Sequence, residues 1–312
     1  MAYGIDQAFA TAKAPWAGIG TELEGAATAE EAIVSAGLDW KVVKKNLYIK
    51  RAAIGYKGVE GKQALVRADT GDVLGVFSPR YSPLQNINAF NGISEVMQDH
   101  GAVFHSAGSL NEGRRIFIYG ELPGTLVVNG DELARGLLLT NSHDGSAAVS
   151  MQLMAVRKVC FNTMNSRFRS GGFRQVHTGN LDSKMQQARE FLGIGNRYFE
   201  QIRHGVDYMS STALTETMKE FFLRDLFGVE LEAADISTRI RNQMDVVGDL
   251  FYQGIGNHGT TKWDMYNAVT EYVDHHRGPQ GEELVKVDRR LNSAWFGSGA
   301  EMKEKAWELL TA

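Results

Sequence analysis

The sequence predicts an α+β fold, with an antiparallel β-meander and one packed helix in the N-terminal half, and a helical C-terminal half. Over residues 40–122, five runs rich in β-branched and aromatic residues follow one another: WKVVKKNLYIK, QALVRA, DVLGVFS, AVFHSAGSL and RRIFIYGEL. Turn residues at Asp69-Thr70-Gly71-Asp72 and Asn111-Glu112-Gly113 separate some of them, as hairpins require. After Gly179 the apolar spacing becomes helical. Leu181, Met185, Ala188 and Leu192 share one face, as do Ile236, Ile240, Met244, Val247 and Phe251, and later Met302, Ala306, Leu309 and Leu310. Strands first and helices afterwards favour antiparallel pairing over a doubly wound nucleotide fold.

Taken in order, residues 1–38 read as an irregular leader with one short helix. Thr28 and Glu31 form a capping box ahead of Ala32, Ile33 and Val34, and Gly37 ends the turn. Residues 39–178 form a β-rich domain with a basic loop, and residues 179–312 a helical region packed on or beside it. Ser82-Pro83 supplies an N-cap and a first turn, predicting a helix over residues 84–99 that Gly101 closes. Further strands near residues 137–140 and 147–155 flank the turn SHDGS. Gly193-Ile194-Gly195 lacks the lysine and the strand-to-helix setting of a phosphate loop and reads as a helix break. Gly171-Gly172 is the best hinge, and HRGPQGEE around Pro279 the best exposed loop.

The chain has 312 residues, 43% hydrophobic, enough for a substantial core, and a net charge of −4 with a pI near 6.1. That balance excludes a protein that coats duplex DNA by bulk charge but allows a focused basic groove. Cys160 is the single cysteine, so an intrachain disulfide and a multi-cysteine zinc site are excluded. The start of the chain has no basic-then-apolar secretion signal, and no apolar run approaches the roughly 20 residues that span a bilayer. A soluble cytoplasmic protein without a membrane partner is expected.

Residues 145–181 contain no Asp or Glu, yet hold Arg157, Lys158, Arg167, Arg169 and Arg174 interleaved with Phe161, Phe168 and Phe173. Binding a single strand without reading its sequence needs cations along a groove for phosphates and flat side chains for bases. The five cations are therefore the candidate phosphate contacts, with Phe168 and Phe173 as aromatic ones. The competing reading puts the phenylalanines in the core and the arginines on a solvated face. A second cluster of Lys41, Lys44, Lys45, Lys50 and Arg51 lies on a predicted hairpin. Lys44 and Lys45 are its leading candidates for an opposite groove wall, although lysines also protect edge strands from aggregation.

His143 and Asp144 can share a proton or an ion, but Asp-Gly between two apolar runs is a hairpin signal. Asn141, His143 and Asp144 are thus assigned to a structural turn, with ligand contact as the alternative. Cys160 after Arg157 and Lys158 reads as a packed thiol, not a nucleophile. His258, His275 and His276 lack metal-ligand spacing, so no metal and no cofactor is expected.

Five separated motifs carry a resemblance: Trp16-Ala17-Gly18-Ile19-Gly20, Asn141-Ser142-His143-Asp144-Gly145-Ser146, Val156-Arg157-Lys158-Val159-Cys160-Phe161-Asn162-Thr163, the run from Trp263 to Tyr272, and Phe296-Gly297. In them the chain resembles the phage and plasmid-like family catalogued as domain of unknown function 932, and more distantly the ring-forming single-strand annealing proteins. The resemblance implies a homo-oligomer that binds and anneals single-stranded nucleic acid, DNA more than RNA, in a recombination system of a mobile element within a bacterial host. Two other functions stay open: a metal-dependent nuclease or phosphotransfer enzyme using His143 and Asp144, and a protein that binds a host factor.

Overall fold

A computed structural model describes residues 14–17, 19–51, 55–90, 97–98, 100–147, 149–165, 172–175, 181–230, 235–278 and 283–312. The architecture is α+β with antiparallel sheets, and helices dominate the C-terminal half. The larger sheet contains β1 (Gly20–Ala27), β5 (Val103–Leu110), β6 (Arg115–Val128), β7 (Asp131–Ser142), β8 (Val149–Arg157) and β10 (Gly172–Gln175), hydrogen-bonded in that order, with β9 (Thr163–Asn165) also on β8. A second sheet is built from β2 (Val42–Arg51), β3 (Gly55–Arg67) and β4 (Val73–Phe77).

Local chemistry sets the long β6–β7 hairpin. Asn129 and Gly130 both adopt positive φ, 50° and 87°, the pair that a two-residue turn matched to strand twist demands. Leu137, Leu138 and Leu139 are all fully buried, so both faces of β7 are covered, which explains an apolar run where a half-exposed strand would alternate. Phe117, opposite Thr140, meets Trp295 edge-on at 5.2 Å on one face. Leu153, opposite Leu137, faces the other way and lies against Gly195.

The helices are α1 (Ala29–Ser35), α2 (Asn86–Ala89), α3 (Leu181–Ser211), α4 (Glu216–Phe227), α5 (Thr238–Gln253), α6 (Lys262–Glu271), α7 (Glu283–Phe296) and α8 (Ser298–Thr311); α6 runs on into a π-helical turn, Tyr272–His276. All ten residues of α6 are buried, including Asp264, Asn267, Thr270 and Glu271, whose polar groups bond to nearby turns and to their own helix. One hydrophobic cluster extends from Trp16 to Leu310 and draws on the leader, the β-rich part and the helical part alike.

The capping box at Thr28 and Glu31 forms as expected. Four expectations change. The leader contributes a strand, β1, which pairs with β5. The helix after Ser82-Pro83 begins at Asn86 with Gln85 at its N-cap, because the Gln85 amide is bonded to both Val42 N (2.9 Å) and Val42 O (3.0 Å) and fixes the chain there. Gly193 and Gly195 do not break α3: Gly195 lies where the helix packs against Leu153, and any side chain at Gly205 would collide with Trp307. The segment expected to be a basic loop contains β9 and β10. Of the expected hinge, Gly172 opens β10 while Gly171 lies outside the described residues, as does Pro279 in the expected loop.

Candidate nucleic-acid interface

Arg157 closes β8 and is 3% exposed, and every N–H of its guanidinium has a partner inside the protein. Nε and Nη2 bond Asp131, at 2.8 Å to Oδ2, and Nη1 donates to Ile255 O (3.0 Å) and Asn257 Oδ1 (3.1 Å). Nη2 also donates to Gly256 O at 2.7 Å, and the Trp263 indole donates to the same Asp131 Oδ2. Arg157 is therefore no phosphate contact. The cation expected to face a strand joins the β6–β7 turn, β8 and the loop ahead of α6.

The chain beyond Arg157 continues this joint. Phe161, at φ 56°, turns the backbone so that its N–H bonds Arg157 O, and Asn162 Nδ2 donates to Asn267 O. Thr163 N and Oγ1 both donate to Asp274 Oδ2, while Asp274 Oδ1 accepts from Lys303 Nζ at 2.8 Å, deep inside the protein. Burial lowers the Lys303 pKa and Asp274 opposes that shift. Cys160 is buried beside these groups. Desolvation pushes its thiol up to about 11 against the pull of Arg157, so it stays protonated and inert near neutral pH.

Asp144 Oδ1 accepts from Ser146 N at 2.8 Å, and Gly145 takes φ 80°, so this carboxylate is engaged in the turn between β7 and β8. His143 is 1% exposed, with Nε2 2.6 Å from Asn86 Oδ1 and its ring edge-on to Trp40. Asn141 is buried on β7. This geometry does not present His143 and Asp144 together to a metal or a phosphate, and among the described residues no cluster of His, Cys, Asp and Glu has the arrangement of a metal site.

Lys158 is exposed but shared between Thr125 Oγ1 (3.0 Å) and Glu132 Oε2 (3.3 Å). It stands at the rim of a cleft of about 570 Å³ whose lining also includes Asp131, Glu132, His258 and Asp264. Burial raises the Asp264 pKa, but N–H groups of His258, Thr260 and Thr261 and the Thr261 hydroxyl outweigh it and hold the carboxyl below its usual range. With three carboxylates in its lining, this cleft offers no cationic excess to a polyanion.

The β2–β3 hairpin is different. Beside β4 its inner half is anchored, with Ala64, Leu65 and Val66 buried. β4 pairs only with residues 63–66 of β3, so beyond Asn46 and Gln63 two strands continue alone. A shift of register at that point places residues 59–62 opposite Leu47, a bulge that adds twist. From Asn46 to Arg51 the ribbon then extends about 16 Å, five residue steps at about 3.3 Å each, and carries four residue pairs beyond the bulge. Lys44, Lys45, Lys50, Arg51, Lys57 and Lys62 are all exposed. Lys44 Nζ donates to Pro79 O, while Lys45, Lys50, Arg51, Lys57 and Lys62 form no ion pair with any described residue.

Arg157 and Lys158 do not stand opposite Lys44 and Lys45 across one groove. Gly75 of β4 lies against His143 and Asp144, at the turn where β8 begins, whereas Arg157 ends β8 opposite Leu133. Eight residue steps, about 26 Å, lie between. Arg174 and Phe173 pair through their backbones with Ser150 and Met151, at the ribbon's end of the sheet. Arg167, Phe168 and Arg169 lie outside the described residues. Tyr48, Tyr56, Lys57 and Lys62 escaped the sequence reading, although the adjacent cations Lys44-Lys45 and Lys50-Arg51, which put a charge on each face of a strand, already mark a ribbon with two solvated faces.

The motifs that carry the family resemblance meet around this core. Trp16 packs on Tyr119 and Trp295, Arg115 lies over Phe296 and bonds Ser146, and Arg157 joins the run that begins at Trp263. The fold is thus an α+β protein in which these motifs are built into the interior at two places, one around Trp295 and Arg115 and one around Arg157 and Trp263. A family model described as a domain of unknown function, DUF932, matches residues 73–295, and the chain belongs to that family. No curated protein and no solved structure matches the chain. β2 and β3 precede the matched residues.

Proposed function

We propose that this protein binds single-stranded nucleic acid, DNA in the first place, and that assembled copies promote annealing, with the β2–β3 ribbon as the phosphate-contacting element. The observation that carries this reading is the segregation of charge. Residues 41–62 hold seven Lys and Arg against the single acid Glu60, while the whole chain has a net charge of −4, leaving −10 on the rest. The net charges favour the approach of a polyanion to the ribbon over the rest of the chain taken as a whole. One ribbon spans few phosphates, so affinity grows when several copies hold one strand and each added contact becomes intramolecular. Like-charged ribbons repel one another, and copies therefore meet through other surfaces. The reading needs no cofactor.

The test is a salt titration of binding to labelled oligothymidylates of 20 and 60 nucleotides, with light scattering alongside. Six ribbon cations on phosphates give a slope of log K against log salt of about −4. The triple variant K50A/R51A/K57A lowers that slope by about 2, and the longer strand gains more affinity than its added sites explain while the scattering mass rises. Binding that ignores salt, or a variant that binds like the parent, contradicts the reading.

A further inference from the structure

The outer ribbon has two chemically distinct faces. Its register pairs Tyr48 with Gly58, Ile49 with Lys57, Lys50 with Tyr56 and Arg51 with Gly55. Opposed residues in an antiparallel ladder share a face and neighbours along the strand alternate, so Tyr48, Lys50, Tyr56 and Gly58 form one face and Ile49, Arg51 and Lys57 the other. Tyr48 is 60% exposed and Tyr56 73%. A side-chain carbon at Gly58 would touch the Tyr48 ring at 3.8 Å, so the ring leans across the space that the glycine leaves open. Folding alone does not account for two solvated aromatic rings on a ribbon without a core behind it, since their apolar surface stays in water.

We infer that the Tyr48–Lys50–Tyr56 face is a base-stacking platform that selects unpaired strands, an inference that rests on the nucleic-acid reading above. Tyr48 and Tyr56 are diagonal neighbours, with Cα atoms about 7–8 Å apart, and Lys50 stands beside both. Nucleotides along a strand repeat at about 3.4 Å, so bases one or two apart reach the two rings while the intervening phosphate meets the Lys50 ammonium. Arg51 and Lys57 behind, with Lys44 and Lys45 at the root, continue the cation track. A duplex hides the faces of its bases and offers this platform phosphates alone. Selectivity for single strands then comes from the two rings, and salt-dependent affinity from the cations.

Fluorescence anisotropy at one fixed salt concentration separates the two roles, using an oligothymidylate, a duplex of equal length and inorganic polyphosphate. The parent prefers the single strand over the duplex. Y48A/Y56A weakens single-strand binding roughly a hundredfold, about tenfold per ring, and leaves duplex and polyphosphate binding within twofold. Y48F/Y56F retains the parent's preference, because the ring and not the hydroxyl stacks. Circular dichroism and thermal melting of Y48A/Y56A match the parent, as both rings are solvent-exposed. If Y48A/Y56A binds the oligothymidylate like the parent, or loses all three ligands equally, the platform is wrong while the charge-based reading stands. If the parent binds none of the three, both are wrong.

Discussion

Arg157 shows how a residue's chemistry is decided by partners far from it in sequence. Its neighbourhood lacks acids, but Asp131 lies 26 positions upstream, and the Ile255 and Gly256 carbonyls lie about a hundred positions downstream. Five directed hydrogen bonds on a planar guanidinium make this a joint that lysine cannot reproduce. Arg157→Ala strands a largely buried carboxylate and two carbonyls, at a cost of about 3–5 kcal/mol. Denaturant unfolding should record that loss, while the affinity of the remaining folded protein for an oligonucleotide stays at the parent's value. A variant of normal stability that has lost nucleic-acid binding would return Arg157 to the interface. The thiol of Cys160, one turn further on, shows the same subordination to packing: desolvation holds it protonated despite the nearby guanidinium.

Elements are joined by buried polar contacts as much as by apolar ones. Thr163 at the start of β9, Asp274 in the π-helical turn and Lys303 in α8 form a fully enclosed set, in which Lys303 Nζ also donates to Thr163 O and Oγ1. Removing one charge leaves the other without a partner in a low-dielectric interior. Lys303→Met should therefore destabilise the fold by about 3–5 kcal/mol, and adding Asp274→Asn should recover part of that loss in a double-mutant cycle followed by urea unfolding. Additive losses would mean that the two side chains act independently. At this scale much of the fold was legible. The strand runs of residues 40–122, the helical periodicity after Gly179 and the cap at Thr28 are local signals and they appear, except that β3 begins at Gly55, eight residues ahead of the run QALVRA. The errors arose where tertiary contact overrode local preference: Gly195 packs on Leu153 instead of ending a helix, and β1 exists because the edge of β5 receives it.

For the molecule as a whole, the buried junction and the proposed interface lie apart. The motif that contains Arg157 and the run that begins at Trp263 close around Asp131 at one end of β8, while the basic ribbon, outside the residues matched by the family model, rises near the other end, where the 141–146 motif turns. Of the site, the lysine cluster on β2 was readable as a count of charges. The rest needed three dimensions, because only the register of β2 and β3 places Tyr48, Lys50 and Tyr56 on one face, and only the fold reveals that Arg157 is enclosed. Photocrosslinking of a 4-thiothymidine oligonucleotide, followed by peptide mapping, tests the central claim most directly. The account predicts adducts within residues 41–62, centred on Tyr48 and Tyr56. Adducts confined to the cleft beside Lys158, or to residues 165–171, with residues 41–62 unmodified, would contradict it.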